Sequence, residues 1–208
     1  MIFSSLLLEN AVNEFSKLPG IGKKTALRLV LHLLKKDSAD VKSFSDAITT
    51  LKENIFLCSR CKNLSDKPLC NICSSPGRNQ QQICVVENVR DVIAIESTQQ
   101  FNGLYHILGG VISPLDGVGP DQLEITSLVS RVNVEKTEEL IFALSPNIQG
   151  DTTIYYINKQ VASLPVIITT ISRGIAFGGE LEYADEMTLA RSISNRIAFE
   201  NYVGNGRK

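Results

Sequence analysis

A chain of 208 residues that is 43% hydrophobic and 21% charged is long enough to bury a core and to form one to three small domains. Its formal net charge of −1 excludes a general electrostatic attraction to nucleic acid or acidic membranes, so any anion binding must be local. No run approaches the roughly 18 apolar residues of a membrane-spanning helix. The N-terminal sequence MIFSSLLLEN also lacks the basic region and the cleavage site of a secretion signal. We therefore expect a cytoplasmic protein.

The first 55 residues predict a small all-helical unit. Residues 5–17 place apolar side chains at helical spacing, and a second helix is predicted from residue 23 to residue 36. A polar break and a third helix follow within residues 37–55. Basic side chains outnumber acidic ones six to two in the first 36 residues. This local excess is compatible either with a solvated helix face or with an anion site.

The segment LPGIG between the first two helices indicates a helix-hairpin-helix element. Gly20 and Gly22 allow a tight backbone and leave the nearby amides accessible to an anion. Lys23, Lys24 and Arg28 follow at the start of a helix, where the helix dipole also favours negative charge. Such contacts hold the phosphate backbone, so we expect sequence-independent, salt-dependent DNA binding. The alternative is an ordinary αα-hairpin whose glycines only form the turn.

Four of the five cysteines form two pairs with metal-ligand spacing. Cys58 and Cys61 are separated by two residues, as are Cys70 and Cys73, with eight residues between the pairs. In a chain without a secretion signal this pattern favours a metal over disulfides. Four thiolates prefer Zn²⁺ and leave no open position for substrate, so we predict one structural zinc ion. The alternative is four free buried cysteines, and Cys84, inside an apolar strand, is expected to be a core residue.

After a linker at residues 74–82, the pattern changes to alternating strands and helices. The predicted strands are ICVVE (83–87), LYHILGG (104–110), ELIFAL (139–144) and LPVIITT (164–170), and the helical stretches between them are 89–97, 121–133 and about 152–162. This alternation predicts a parallel sheet covered by crossover helices on both faces. A last helix is predicted within residues 183–200, after the glycine-rich GIAFGGE.

The segments LPGIGKKTALRL, CSRCKNLSDKPLCNIC, ICVVENVRDVIAIESTQQFNGLYHILGGVISPLDGVGP and GGELEYADEMTLA, in this order, resemble the RecR family of bacterial recombination mediators over essentially the whole chain. The resemblance implies a multi-domain α/β protein. Its implied parts are a helix-hairpin-helix DNA-binding domain (1–55), a four-cysteine zinc finger (56–78), a Toprim domain with a parallel sheet (79–175) and a C-terminal, Walker-B-like helical oligomerisation segment (176–208).

The resemblance also implies a function without catalysis. Together with RecO and RecF, such a protein promotes loading of the RecA recombinase onto single-stranded DNA coated by single-strand-binding protein. It binds both single- and double-stranded DNA, and it self-associates into dimers or tetrameric rings able to encircle DNA. This function places the protein in the bacterial cytoplasm, at the nucleoid.

The Toprim segment lacks the acidic residues that Toprim enzymes use to hold Mg²⁺. Glu87 ends the first strand of this segment, where such enzymes place a glutamate. The later acidic positions hold Ser145, Asn147 and Gln149, and Asp151 is the remaining carboxylate nearby. One or two carboxylates make a poor magnesium site. We therefore predict a scaffold without catalysis; the alternative, a metal-dependent nuclease or topoisomerase-like enzyme, would need an acidic triad.

The same region is expected to serve partner binding. Glu87, Asp116 and Asp151 follow strands or lie in the SPLDGVGP loop, and we predict that they form an acidic face that docks RecO; the alternative is solvated loop acids. The chain has no phosphate-binding loop of the GxxxxGK[ST] type, so ATP hydrolysis is not expected. His32 and His106 are expected to be structural. A third interpretation of the chain is a zinc-ribbon interaction module without DNA affinity.

Overall fold

The computed structural model of this protein describes residues 3–175, 178–196 and 198. The chain forms two compact units, Met1–Ile55 and Phe56–Lys208. Among the residues described, no helix is both long and apolar enough to cross a membrane.

The N-terminal unit contains the three predicted helices, which are α1 (Leu6–Ser16), α2 (Lys23–Leu33) and α3 (Ser38–Asn54). Ser5 caps α1 by accepting a hydrogen bond from the backbone N–H of Leu8. The helices α1 and α2 pack around Val12, Ala26 and Val30. No residue of α3 is buried, so its apolar side chains add little to this small core.

The second unit begins with the cysteine-rich segment. Its two short antiparallel strands, β1 (Phe56–Leu57) and β2 (Leu64–Ser65), pair in register and precede the single-turn helix α4 (Asn71–Ser74). The strands are too short to form a core of their own. This segment therefore depends on its cysteines and on contacts with the sheet that follows.

A four-stranded parallel sheet forms the centre of the second unit, as the alternating pattern predicts. Its strands are β3 (Gln82–Val86), β4 (Leu104–Ile107), β5 (Glu139–Ala143) and β6 (Ile167–Thr170), in the order β4-β3-β5-β6. Val86 at the end of β3 lies opposite Ile107 and Ala143. The carboxyl ends of three strands therefore meet at one edge, where ligand sites of parallel sheets are usually found.

Helices cover both faces of this sheet. They are α5 (Val89–Ser97), α6 (Ile125–Glu135) and α7 (Ile148–Val161). Leu128 of α6 and Ile157 of α7 pack on one face, and Val92 of α5 packs on the other. Cys84 is buried on the α5 side, and burial raises the pKa of its thiol to about 12, which fits the expected core position.

Two helices begin at different residues from those expected, α7 because of a polar cap and α6 because a 3₁₀ turn precedes it. Helix α7 begins at Ile148 rather than near residue 152, since the Asn147 side chain accepts a hydrogen bond from the Gly150 N–H at 2.8 Å. Helix α6 begins at Ile125 rather than at residue 121, because Pro120–Gln122 forms a 3₁₀ turn.

The C-terminal segment contains one further described helix, α8 (Glu186–Ser194), within the predicted 183–200. Its start is set by Asp185, whose carboxylate accepts a hydrogen bond from the Thr188 N–H at 2.9 Å. Within the predicted oligomerisation segment 176–208, residues 176, 177, 197 and 199–208 lie outside the described residues.

Candidate metal centre and nucleic-acid interface

The four predicted ligands Cys58, Cys61, Cys70 and Cys73 come together in one buried cluster. Their sulfur atoms all lie within 4.8 Å of one another, and no pair forms a disulfide. The Cys61 and Cys70 sulfurs are 3.5 Å apart. A tetrahedral zinc–thiolate site with bonds of about 2.3 Å has sulfurs about 3.8 Å apart. The donor set and its spacing therefore fit a bound metal ion of the zinc type.

Local backbone geometry builds both ends of this cluster. The Cys58 N–H donates to the Asn63 carbonyl at 2.7 Å, and Lys62, with a left-handed φ of +64°, closes the turn between them. At the other end, the N–H of Cys70 donates to the Cys58 sulfur at 3.3 Å, and the N–H of Cys73 donates to the Cys70 sulfur at 3.4 Å. Backbone N–H groups thus already stabilise negative charge on two of the sulfurs.

The thiol pKa values show why the cluster favours a cation. Burial alone would raise the pKa of Cys58, but N–H groups of Cys70, Cys61 and Arg60 lower it to about 7. The pKa of Cys61 is raised well above its usual range by its contact with the Cys73 thiol and by burial. Only a bound cation would allow all four thiols to ionise together at neutral pH.

The cysteine cluster is attached to the parallel sheet by polar contacts that the sequence did not indicate. The Ile107 N–H, at the end of β4, donates to the Cys61 carbonyl at 2.9 Å. The Arg60 guanidinium contacts Glu135 of α6 at 2.7 Å and donates to the Cys73 carbonyl at 3.3 Å. Arg60 and Glu135 are 75 residues apart, so no local signal could have shown this pairing.

Arg131 of α6 makes a second connection to the same region. Its guanidinium donates to the Tyr105 carbonyl at 2.7 Å and to the Arg60 carbonyl at 3.4 Å, and it also contacts Glu135 at 3.0 Å. Arg60 and Arg131 together lower the pKa of Glu135 against the effect of its burial, so this carboxylate stays charged. The cysteine cluster and the sheet are therefore joined by a charged network as well as by a backbone hydrogen bond.

In the N-terminal unit, the two glycines of the LPGIG turn have different roles. Gly20 has a φ of +76°, a conformation that side-chain-bearing residues rarely adopt. Gly22 has an ordinary φ of −79° and is the N-cap of α2. A Cβ atom added at Gly22 would meet no atom within 4 Å. The fold therefore requires glycine at position 20, but nothing within the described chain requires it at position 22.

The start of α2 presents positive charge to solvent. The Ala26 N–H donates to the Gly22 carbonyl at 2.9 Å, and the amides before it have no acceptor within the helix. Lys23, Lys24 and Arg28 are all exposed. In the described part of the chain, none of these three side chains forms an ion pair. The predicted DNA-contacting residues thus lie on one turn and the helix that follows it.

In the part of the chain that the structure describes, the carboxyl edge of the sheet contains no acidic metal site. Among the described residues, the cysteine cluster is the only group of three or more potential ligands close enough to share an ion. The Asn147 side chain is used to cap α7. A Cβ at Gly150 would lie 2.1 Å from the Ser145 carbonyl oxygen, so the turn between β5 and α7 needs glycine. The segment that carries metal ligands in Toprim enzymes here serves helix capping and a tight turn.

The three acids of the predicted partner face have different surroundings. Asp151 contacts Arg173 at 2.6 Å and Arg191 at 3.8 Å, and Arg173 lowers the pKa of its carboxyl. Asp116 is exposed in a 3₁₀ turn and accepts a hydrogen bond from the Ser113 hydroxyl. Glu87, partly buried, forms no ion pair with any described residue.

Comparison with known proteins explains the combination of these sites. Family models match the chain in four consecutive parts, namely the RecR helix-hairpin-helix (8–52), the RecR four-cysteine zinc finger domain (55–75), the Toprim domain (81–172) and the RecR C-terminal region (174–197). Proteins named "Recombination protein RecR" match over nearly the whole chain. The relative from Flavobacterium johnsoniae is 57% identical over 205 residues, covering 99% of this chain and 100% of the relative. The chain belongs to the RecR family.

Other RecR proteins agree with this assignment. The relative from Bacteroides thetaiotaomicron is 56% identical over 201 residues, covering 97% of this chain and 98% of the relative. The relative from Porphyromonas gingivalis is 52% identical, covering 97% of both chains. The predicted fold class is confirmed. RecR proteins are non-enzymatic recombination mediators, so the prediction that this chain is not an enzyme is also confirmed.

Proposed function

We propose that this RecR protein mediates recombinational repair by holding the phosphate backbone of single- and double-stranded DNA at the start of α2. The observation that carries the proposal is Gly22, which the fold does not need as a glycine and which opens the surface beside free helix amides. Exposed Lys23, Lys24 and Arg28 supply positive charge at the same place. Backbone amides and basic side chains are the donors that phosphate requires.

We also propose that the cysteine cluster holds one Zn²⁺ ion per chain as a structural ion. Four buried sulfurs leave no position for a substrate. The Cys61 carbonyl accepts a hydrogen bond from the Ile107 N–H of β4, and the Cys73 carbonyl accepts one from Arg60. When bound, the ion would neutralise the thiolates and so fix the short strands β1 and β2. The residues Arg60 and Glu135 would then hold this module on α6.

Partner binding is proposed at the carboxyl edge of the sheet, where Glu87, Asp116 and Asp151 would dock RecO. Glu87 and Asp116 carry most of this proposal, because two arginines already compensate the charge of Asp151. With RecO and RecF, the protein would load RecA onto single-stranded DNA coated by single-strand-binding protein. This activity would take place in the bacterial cytoplasm, at the nucleoid.

Self-association into dimers or tetrameric rings is supported by the surface of the N-terminal unit. Phe44, Ile48 and Leu51 of α3 remain 46%, 54% and 60% exposed. An apolar groove of about 420 Å³ lies between the three helices and includes Phe15 and Leu33. Exposed apolar surface of this kind marks an interaction site. Several hairpins in one assembly would bind DNA by avidity, which a chain of net charge −1 needs.

The decisive experiment compares DNA binding by two charge-reversal variants of the full chain. Lys24→Glu with Arg28→Glu should lower the affinity for DNA. The slope of log K against log salt concentration should become shallower by about 1.8, the value for two lost phosphate contacts. Lys52→Glu with Lys67→Glu changes the net charge equally at exposed positions elsewhere. Equal affinities for the two variants and the parent protein would contradict the proposal and favour a zinc-ribbon module without DNA affinity.

A further inference from the structure

The positive charge of α2 does not end at the hairpin. With 100° per residue, Arg28 lies about 40° and Lys35 about 20° around the helix from Lys24. Helix α2 ends at Leu33, but the Lys35 N–H donates to the His32 carbonyl at 3.1 Å, so the winding continues through Lys35. Lys24, Arg28 and Lys35 are all exposed. These three side chains form the basic stripe of α2.

The basic stripe is long compared with the spacing of DNA phosphates. Eleven residues separate Lys24 from Lys35, which corresponds to about 16 Å of helix at 1.5 Å per residue. One strand of a duplex carries a phosphate about every 3.4 Å along the axis, but the strand winds around that axis and its successive phosphates are about twice as far apart, so the stripe spans about three phosphates. A hairpin that touched DNA only at the start of α2 would leave Lys35 about 16 Å away from the contact.

Charge pairing distinguishes this stripe from two other lysines of the N-terminal unit. Lys42 of α3 is paired with Asp46 at 3.4 Å, one turn away, and Lys17 of the turn is paired with Glu14. Helix α2 contains no acidic residue. Within the described residues, no ion pair involves Lys35. The stripe therefore keeps its full charge for an external anion.

From this arrangement, and given the DNA binding proposed above, we infer that α2 lies lengthwise along a DNA strand and that Lys35 is a further phosphate-contacting residue. The hairpin amides hold one phosphate group, and the stripe follows the same backbone for about three phosphates. The competing explanation is that Lys35 only complements the negative end of the α2 dipole. Lys36 would share that role, because it is also exposed and follows the same helix end.

Lys36 provides a matched control for this reason. It is adjacent to Lys35 but lies about 100° farther around the helix, away from the stripe. The experiment measures binding of the full-length parent protein and of the Lys35→Glu and Lys36→Glu variants to a labelled duplex and to a labelled single strand, over a range of salt concentrations. Thermal unfolding of each variant reports any loss of helix stability.

If α2 lies lengthwise along the strand, Lys35→Glu should lower the affinity for DNA several-fold at low salt. For duplex DNA, the slope of log K against log salt concentration should become shallower by about 0.9. Lys36→Glu should bind as the parent protein does, and both variants should unfold at similar temperatures. Equal affinities for the two variants would overturn the inference, whether both bind normally or both bind weakly. If the parent protein itself fails to bind DNA, the proposed function fails, and the inference fails with it.

Discussion

Replacing Gly22 by asparagine separates a structural role of the hairpin from a role in binding. Asparagine is a favourable N-cap residue and improves on glycine by a few tenths of a kcal/mol. Removing a glycine from the unfolded chain adds about 0.4–1 kcal/mol where the native backbone is compatible, as it is here at φ −79°. The new side chain meets open space. We therefore expect Gly22→Asn to raise the free energy of unfolding by about 0.6–1.4 kcal/mol.

The same substitution should weaken DNA binding. A hydrogen bond from a backbone amide to a charged phosphate contributes about 1.5–3 kcal/mol, and a side chain at position 22 would hold the phosphate away from the amides of α2. Loss of one such contact lowers affinity about tenfold or more. Fluorescence anisotropy with a labelled oligonucleotide measures this change, and thermal unfolding measures the stability.

Gly20→Ala is the matched control, because its backbone has a φ of +76°. A side chain in this conformation costs roughly 1–2 kcal/mol, so this variant should lose stability. The two glycines, two residues apart, should thus change stability in opposite directions. A Gly22→Asn protein that is more stable and binds DNA as tightly as the parent would refute the argument that Gly22 leaves room for phosphate.

Three further predictions concern the second unit. Cys61→Ser should abolish metal binding by the four-cysteine cluster, which metal analysis would detect. It should also loosen the cysteine-rich segment from β4, which faster amide exchange at Ile107 would detect. Gly150→Ala should cost about 1–3 kcal/mol in chemical denaturation, because its Cβ would overlap the Ser145 carbonyl oxygen; an unchanged midpoint would contradict this. Burial lowers the pKa of His106 to about 4 from 6.5. As pH falls, His106 is therefore protonated in the unfolded state before it is protonated in the folded state. The free energy of unfolding should fall by about 3 kcal/mol between pH 6.5 and pH 4, and His106→Asn should remove this part of the pH dependence.

The elements with strong local signals were predictable. The short apolar runs that alternate with helical stretches predicted four parallel strands, and the spacing of the two CxxC pairs predicted one cluster of four cysteines. Helix starts were less predictable, as at α7, where the cap formed by Asn147 extends the helix by about one turn beyond its apolar pattern. The contact between Arg60 and Glu135 was not predictable, because the two residues are 75 positions apart and no local pattern connects them.

The surroundings of Asp151 show how tertiary contacts change the role that the sequence predicts for a residue. By sequence it is one of two carboxylates near the Toprim edge, and it is predicted to belong to an acidic face that docks a partner. The fold brings Arg173, which follows β6, within 2.6 Å of it, and Arg191 of α8 within 3.8 Å. A cation at this edge would compete with two guanidinium groups for that carboxylate, and so would a basic partner. Asp151 therefore contributes to the attachment of α8 to the sheet edge, whereas Glu87 and Asp116, the other two acids of the predicted partner face, form no ion pair with any described residue.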